Sequence, residues 1–377
     1  MTLVCGPLVL PDSVRTGWLR VDRGRITAVQ EGPPPPAPGE EVVEVTDGFV
    51  LPGLVDGHCH GALGRDFADR GDDVVAVAAG AHHRGGTTSL VASLLSAPPE
   101  PLRAAVRRLA PFVTDALIDG IHLEGPFLSR ARRGAHPVDA LRDPDLAEVD
   151  RLLTAGGGAV TYVTIAPELP GALDVVRELT GRGIRVGVGH TDADHGQTQR
   201  AIQAGARTAT HLFNAMAPVH HRAGGPVVAL TEDPRVTCEL IADGHHLGPD
   251  VVRWVWSLLG TQRVMLVSDA SAATLMPEGQ YHLGEQTIAA RSGAVWTQDG
   301  ASLAGSSITL LDAVRWCTSI GISLLDAVTA ASDTAARALG LADRGRLATG
   351  GRADLIVTDA DLRPQRVMRA GRWLTPG

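Results

Sequence analysis

The middle of the chain, from about residue 48 to 338, alternates near-continuous apolar runs with longer Ala-, Leu- and Arg-rich stretches. The runs fall at residues 50–60, 87–93, 116–124, 160–167, 185–191, 208–214, 236–243 and 263–269, with helical segments such as 72–84 and 101–110 between them. Strands that are apolar on both faces belong to a parallel sheet covered by helices on each side. Eight such units predict a closed (β/α)8 TIM-like barrel, with an open doubly wound sheet as the alternative. Outside this block the pattern shortens. Residues 3–10, 17–21, 25–30 and 41–45 alternate as short strands around turns such as Asp22-Arg23-Gly24, with a surface loop at 33–36. Residues 354–359 and 365–369 repeat the pattern near the other end. The expected organisation is a small discontinuous β-sandwich domain formed by both termini, residues 1–47 with 339–377, beside a barrel of residues 48–338.

Composition narrows the function classes. A length of 377 residues suits a barrel of about 250 residues with an accessory domain. Acidic residues number 42 against 34 basic ones, a net charge of −8, so the chain offers no global field for nucleic acid or an anionic membrane. Any anionic ligand must be caught locally. Every basic residue is arginine, and the absence of lysine excludes a Walker lysine, a Schiff base and a carbamylated lysine bridging two metals. Cys5, Cys59, Cys238 and Cys317 form no C-x-x-C pair, the N-terminus lacks the basic region of a signal peptide, and no apolar run reaches about 18 residues. A cytoplasmic protein is expected.

Candidate chemistry clusters at the ends of the apolar runs, where barrel enzymes carry their sites. The stretch LPGLVDGHCH closes on His58 and His60, which share one strand face. Later runs end at Glu124 in HLEGP, His190 in VGVGHTD, His211 in ATHLFNAM, the Asp243–His246 segment, and Asp269 in MLVSDA. Imidazoles and carboxylates on separate rigid elements are the donors a divalent ion takes. Each residue also has a plainer reading: Glu124 as a solvated strand-end acid, His190 and His211 as core histidines, Asp269 as a helix cap. His122, two residues before Glu124, fits a barrel-interior role, and His82, His83, His195, His220 and His282 fit packing or surface roles.

The motifs HLEGPFLS, RRGAH, GHTDA, THLFNAM with HHR, IADGHH, VSDA and LAGSS, in this order, resemble the N-acetylglucosamine-6-phosphate deacetylases of the amidohydrolase superfamily. The resemblance runs from Leu51 to about Gly351. It implies that Glu124, His190 and His211 hold a principal divalent metal, and that His58 and His60 bind a second ion bridged by Glu124. Zinc is the first expectation, with iron, manganese or cobalt as alternatives. It further implies Asp269 as general base and acid as well as a member of the metal set, and His136 as a contact to the acetyl carbonyl. Ala135, Asn214, Ala215, His246 (rather than His245), Leu303, Ala304 and Gly305 would line the substrate pocket. Arg222 would reach the phosphate of a phosphorylated amino sugar from the neighbouring subunit, which makes a homodimer the expected assembly. The galactosamine epimer and a catalytically inactive binding protein are the rival readings.

Overall fold

A computed structural model of the protein describes residues 1–35, 38–71 and 73–375. Residue 36 of the expected loop, residue 72 of the first expected helix and the last two residues of the 339–377 segment lie outside these. The eight apolar runs form one parallel sheet: Leu54–Cys59, Thr87–Leu95, Gly120–Glu124, Val160–Ile165, Arg185–Val188, Thr208–Ala209, Thr237–Ile241 and Val264–Val267, hydrogen-bonded in chain order. Several of the helices between them bury one stripe, although Gly225–Glu232 is buried on nearly every face. In Pro99–Thr114 that stripe is Leu102, Ala105, Val106 and Leu109, a 3.6-residue spacing, and the helix begins with proline and Glu100 in its first turn. Fully burying side chains of the size of Leu102 or Val106 stabilises the fold by roughly 1.5–3 kcal/mol each.

The first and eighth barrel strands meet at a seam. Cys59 and Ala270 form a bridge there, and His58 O accepts from the Asp269 N–H at 2.9 Å. Buried Asp56 ties both sides: its Oδ1 accepts from the N–H groups of His58 (3.3 Å) and Ser268 (3.2 Å). The seam therefore lies directly beneath His58, His60 and Asp269.

The terminal segments share a second sheet of eight strands. Thr2–Val9 pairs with Val14–Asp22, which pairs with Arg25–Glu31; on its other side Thr2–Val9 takes Glu41–Glu44 and Phe49–Pro52, followed by Leu355–Thr358, Pro364–Arg369 and Arg372–Trp373. Strands from both ends enclose one core of Val4, Leu8, Leu19, Ile26, Val50, Leu355 and Met368. The run at 50–60, expected as one strand, is two. Phe49–Pro52 belongs to the terminal sheet and Leu54–Cys59 to the barrel, so the terminal sheet extends past residue 47. Gly53 is the crossing point, where a Cβ would lie 2.1 Å from Thr88 Oγ1. Apolar patterning cannot say which of two sheets a residue joins, so the division at Gly53 is invisible in it.

A third element went unanticipated. After the eighth strand, Gly279–Leu283, Gln286–Arg291 and Ala294–Thr297 form an antiparallel sheet whose Leu283, Ile288 and Val295 pack with Leu95, Ala273 and Ala304. Glycines mark its turns at Gly284 and Ser292-Gly293, but its short, half-exposed strands carry little alternation. Among the described residues no helix is long and apolar enough to cross a membrane.

Candidate active site

Six side chains from five strand ends converge at the C-terminal mouth of the barrel. Glu124 Oε1 lies 3.0 Å from His190 Nε2 and 3.0 Å from His211 Nε2, and those two nitrogens are 3.0 Å apart. On the other side, His58 Nε2 and His60 Nε2 are 3.2 Å apart, and Asp269 Oδ1 is 3.4 and 3.3 Å from them. Glu124 also joins the halves, at 3.5 Å from His58 and 3.2 Å from His60. All six are buried. Three of them are aimed by an uncommon backbone: His190, His211 and Asp269 have φ values of 47°, 28° and 46°. A left-handed residue directly past a strand swings its side chain across the barrel mouth, a strain that folded structure tolerates at functional sites.

The electrostatics call for positive charge at this point. Burial disfavours imidazolium, yet Asp269 and Glu124 outweigh it, holding His58 well above the ordinary imidazole value and pushing His60 up to about 9. Burial likewise opposes the Glu124 and Asp269 carboxylates, but the surrounding histidines, His58 foremost, hold both below the usual carboxylate range. Four ring nitrogens facing each other at 3.0–3.2 Å need a cation or shared protons between them. The donor set therefore fits a divalent metal, and among the described residues His60 Nδ1 and His211 Nδ1 have no partner that would turn the rings elsewhere.

His136 stands at the rim. Its Nδ1 accepts the Ser96 backbone N–H at 3.2 Å, which leaves the proton of the neutral ring on Nε2, 3.4 Å from Glu124 Oε2. Burial, with the His190 ring beside it, pushes His136 down to about 4. It is thus a neutral donor facing the site, and His211 rather than His136 completes the set around Glu124 and His190.

A cavity of about 450 Å³ opens from these groups, lined by all the other residues expected of the pocket: Ala135, Asn214, Ala215, His246, Leu303, Ala304 and Gly305. His246, not His245, faces it, held through Nδ1 by Asp243 Oδ2 at 2.7 Å. The LAGSS segment does more than line the wall. Ser306 N–H donates to Asp269 O at 2.7 Å, and Gly305 (φ +67°) passes so close that a Cβ would lie 2.9 Å from that same oxygen. Leu283 and Trp296 of the antiparallel sheet close one side. Arg222 does not join this chain's cavity: it is exposed on the loop after THLFNAM, its Nη1 2.7 Å from His221 Nε2.

Two buried carboxylates in contact with His58 escaped the sequence reading. Asp56 ties the seam, and burial pushes it up to about 6. Glu239, fully buried on Thr237–Ile241, lies 3.2 Å from His58 Nδ1. The signal was an acid inside an otherwise apolar strand run. His122 is in the barrel interior as expected, between Ser93 Oγ (2.9 Å) and Thr164 Oγ1 (2.8 Å). His82 and His83 are buried packing residues.

Residues 49–374 match the family model of the amidohydrolase family. The chain belongs to the amidohydrolase family. Within it, the N-acetylglucosamine-6-phosphate deacetylase of Lysinibacillus sphaericus is 34% identical over 341 residues, covering 89% of this chain and 88% of the relative. The N-acetylgalactosamine-6-phosphate deacetylase of Escherichia coli O157:H7 is 34% identical over 367 residues, 94% of this chain and 95% of the relative. Among solved structures, the N-acetyl-D-glucosamine-6-phosphate deacetylase of Mycobacterium smegmatis is 43% identical, with a TM-score of 0.94 and all of both chains covered. This amidohydrolase carries its ionisable groups at the mouth of the family's barrel.

Proposed function

We propose that the protein is a metal-dependent N-acetylglucosamine-6-phosphate deacetylase, hydrolysing the acetamide of N-acetyl-D-glucosamine 6-phosphate to D-glucosamine 6-phosphate and acetate in amino-sugar catabolism or cell-wall recycling. The observation that carries this is the convergence of two carboxylates and four imidazoles on one space. Glu124, His190 and His211 would hold a principal ion, and His58 and His60, with Glu124 and Asp269 beside them, would hold a second. A divalent cation there supplies Lewis acidity, polarising the acetyl carbonyl and making water nucleophilic near neutral pH. Zinc suits the nitrogen-rich set, and iron, manganese or cobalt accept the same donors.

The chain's own groups do the rest. Asp269, ionised by its histidine neighbours, takes a proton from the attacking water as its oxygen bonds to the carbonyl carbon. The Nε2–H of His136 donates to the carbonyl oxygen as negative charge builds there. Asp269 then returns the proton to the amide nitrogen and the C–N bond breaks; the remaining proton of the added hydroxyl passes to the amine, so acetate and the protonated amine leave. Leu303, Ala304 and Gly305 border the acetyl side, with Ala135 beside His136. Asn214, Ala215 and His246 bind the sugar and its phosphate, and the partner's Arg222 completes the phosphate site in a homodimer, its exposed guanidinium suited to a planar, doubly bonded phosphate contact. The four cysteines are unpaired, which suits a cytoplasmic enzyme.

The galactosamine epimer is the second reading, favoured by the Escherichia coli relative's coverage of nearly the whole chain. Metal analysis of protein purified without added metal, paired with turnover of both sugar phosphates, tests the assignment. Full activity after chelation would overturn the metal reading, and a tenfold preference for the galacto substrate would overturn the epimer.

A further inference from the structure

We propose that Glu239 is the positioning residue that makes His58 a ligand through Nε2 and so governs the affinity of the second ion. This rests on the two-ion reading above. A carboxylate only accepts, so its 3.2 Å contact with His58 Nδ1 places the imidazole proton on that nitrogen. Once the ring gives up its second proton, the Nε2 lone pair faces His60 Nε2, Glu124 Oε1 and Asp269 Oδ1.

Glu239 is fully buried, and three donors satisfy its charge. Oε2 takes His58 Nδ1–H and the backbone N–H of His211 at 3.0 Å, and Oε1 takes the Tyr162 hydroxyl at 2.8 Å. Such a charge is tolerated in a barrel interior only because it is fully hydrogen-bonded. The histidines of the site are not alike in this respect. His190 Nδ1 has a backbone carbonyl, that of Arg132, at 2.9 Å, while His60 Nδ1 and His211 Nδ1 have no partner among the described residues. Only His58, of the four, has a carboxylate behind it. That anion raises the electron density of the opposite ring nitrogen and fixes the ring's tilt, the arrangement that tunes metal-bound histidines elsewhere. The ring has little other freedom: His122 stands edge-on to it at 4.6 Å and is itself stacked on Tyr162 at 4.2 Å.

Glu239→Gln separates charge from shape. Its amide oxygen can keep the two bonds to His58 and His211, while its NH2 donates to the Tyr162 oxygen, whose own proton turns to Thr210 Oγ1 at 3.1 Å. The experiment titrates metal-free wild type, Glu239→Gln and Glu239→Asp with cobalt(II), reading ion affinities by chelator competition and ligand geometry from visible absorption. Thermal melting establishes which variants are folded. The expected result is two ions in the wild type and, in each folded variant, a second ion weakened about 10–100-fold with an altered absorption band, while the first stays within twofold. Unchanged affinity for the second ion in the folded variants overturns the proposal. So does equal weakening of both ions, which would make Glu239 an ordinary core residue. A wild type that takes only one ion at excess cobalt sinks the two-ion reading itself, a result distinct from the other two.

Discussion

Asp269 shows how one residue can be legible in its position and illegible in its geometry. Its place after the eighth apolar run named it as a candidate, but nothing in the sequence says that φ is 46° there or that Ser306 clamps its carbonyl. Replacing it by asparagine keeps the shape and removes the proton acceptor, so kcat should fall about 10²–10⁴-fold while metal content stays near wild type. Steady-state kinetics alongside metal analysis check this, and full activity would remove Asp269 from proton transfer. The histidines set a pH dependence. With His60 held at about 9 and His58 raised as well, protons compete with metal across neutral pH, so affinity should climb as pH rises from about 7 to 9, by up to roughly tenfold per unit for each proton displaced. For the metal-free fold the sign is opposite. These raised imidazoles stabilise it fully below their unfolded value of about 6.5, and that contribution is lost as pH rises through about 9. Chelator competition and melting curves at several pH values measure both trends. Glu239 escaped notice for a definite reason: strand alternation marks which face a residue takes, and an acid on the inward face of a barrel looks the same whether it is a ligand or stands behind one.

At the scale of elements, the eight strands were readable because each is buried on both faces, and the ionisable side chains that converge at the mouth because they sit at strand ends. The helix ends follow a rule that the absence of lysine sharpens. Arg207 donates to Ile202 O and Ala206 O, and Arg263 to Leu230 O and Thr231 O, each guanidinium satisfying carbonyls left over at a helix C-terminus or just beyond it. The antiparallel sheet at 279–297 was not foreseen, since its strands are half-exposed and short. It carries Leu283 and Trp296 into the cavity wall, and Ile288 is its fully buried anchor. Ile288→Ala should cost about 2–5 kcal/mol within that sheet. Because the sheet is a local unit packed over the mouth, the expected readout is a several-fold rise in KM with a modest change in Tm. A large fall in Tm with KM unchanged would show instead that the sheet supports the barrel and not the pocket.

For the whole molecule, the discontinuous β-domain was legible from two similar patterns at opposite ends of the chain, but the line between it and the barrel was not. That line is held by side chains reaching across. Arg369, in the C-terminal part of the terminal sheet, donates to Thr88 O, Ala116 O and Leu117 O in the barrel, and Arg344 pairs with Asp119. Arg369→Ala leaves those carbonyls without their charged donor and should cost about 1–3 kcal/mol. Calorimetry should show a lower Tm with kcat unchanged, and an unaltered melting temperature would count against this contact as a tie between the two parts.

The seam gives these observations a common consequence. His58 and His60 stand on the first barrel strand and Asp269 just past the eighth, so a cation held among them would fasten together two points about two hundred residues apart in the chain. In polymer terms it would act as a reversible cross-link. Closing a loop of that length lowers the entropy of the unfolded chain by an amount worth on the order of 5 kcal/mol for a disulfide. This protein makes no disulfide among its described residues, and its catalytic ion would double as the staple.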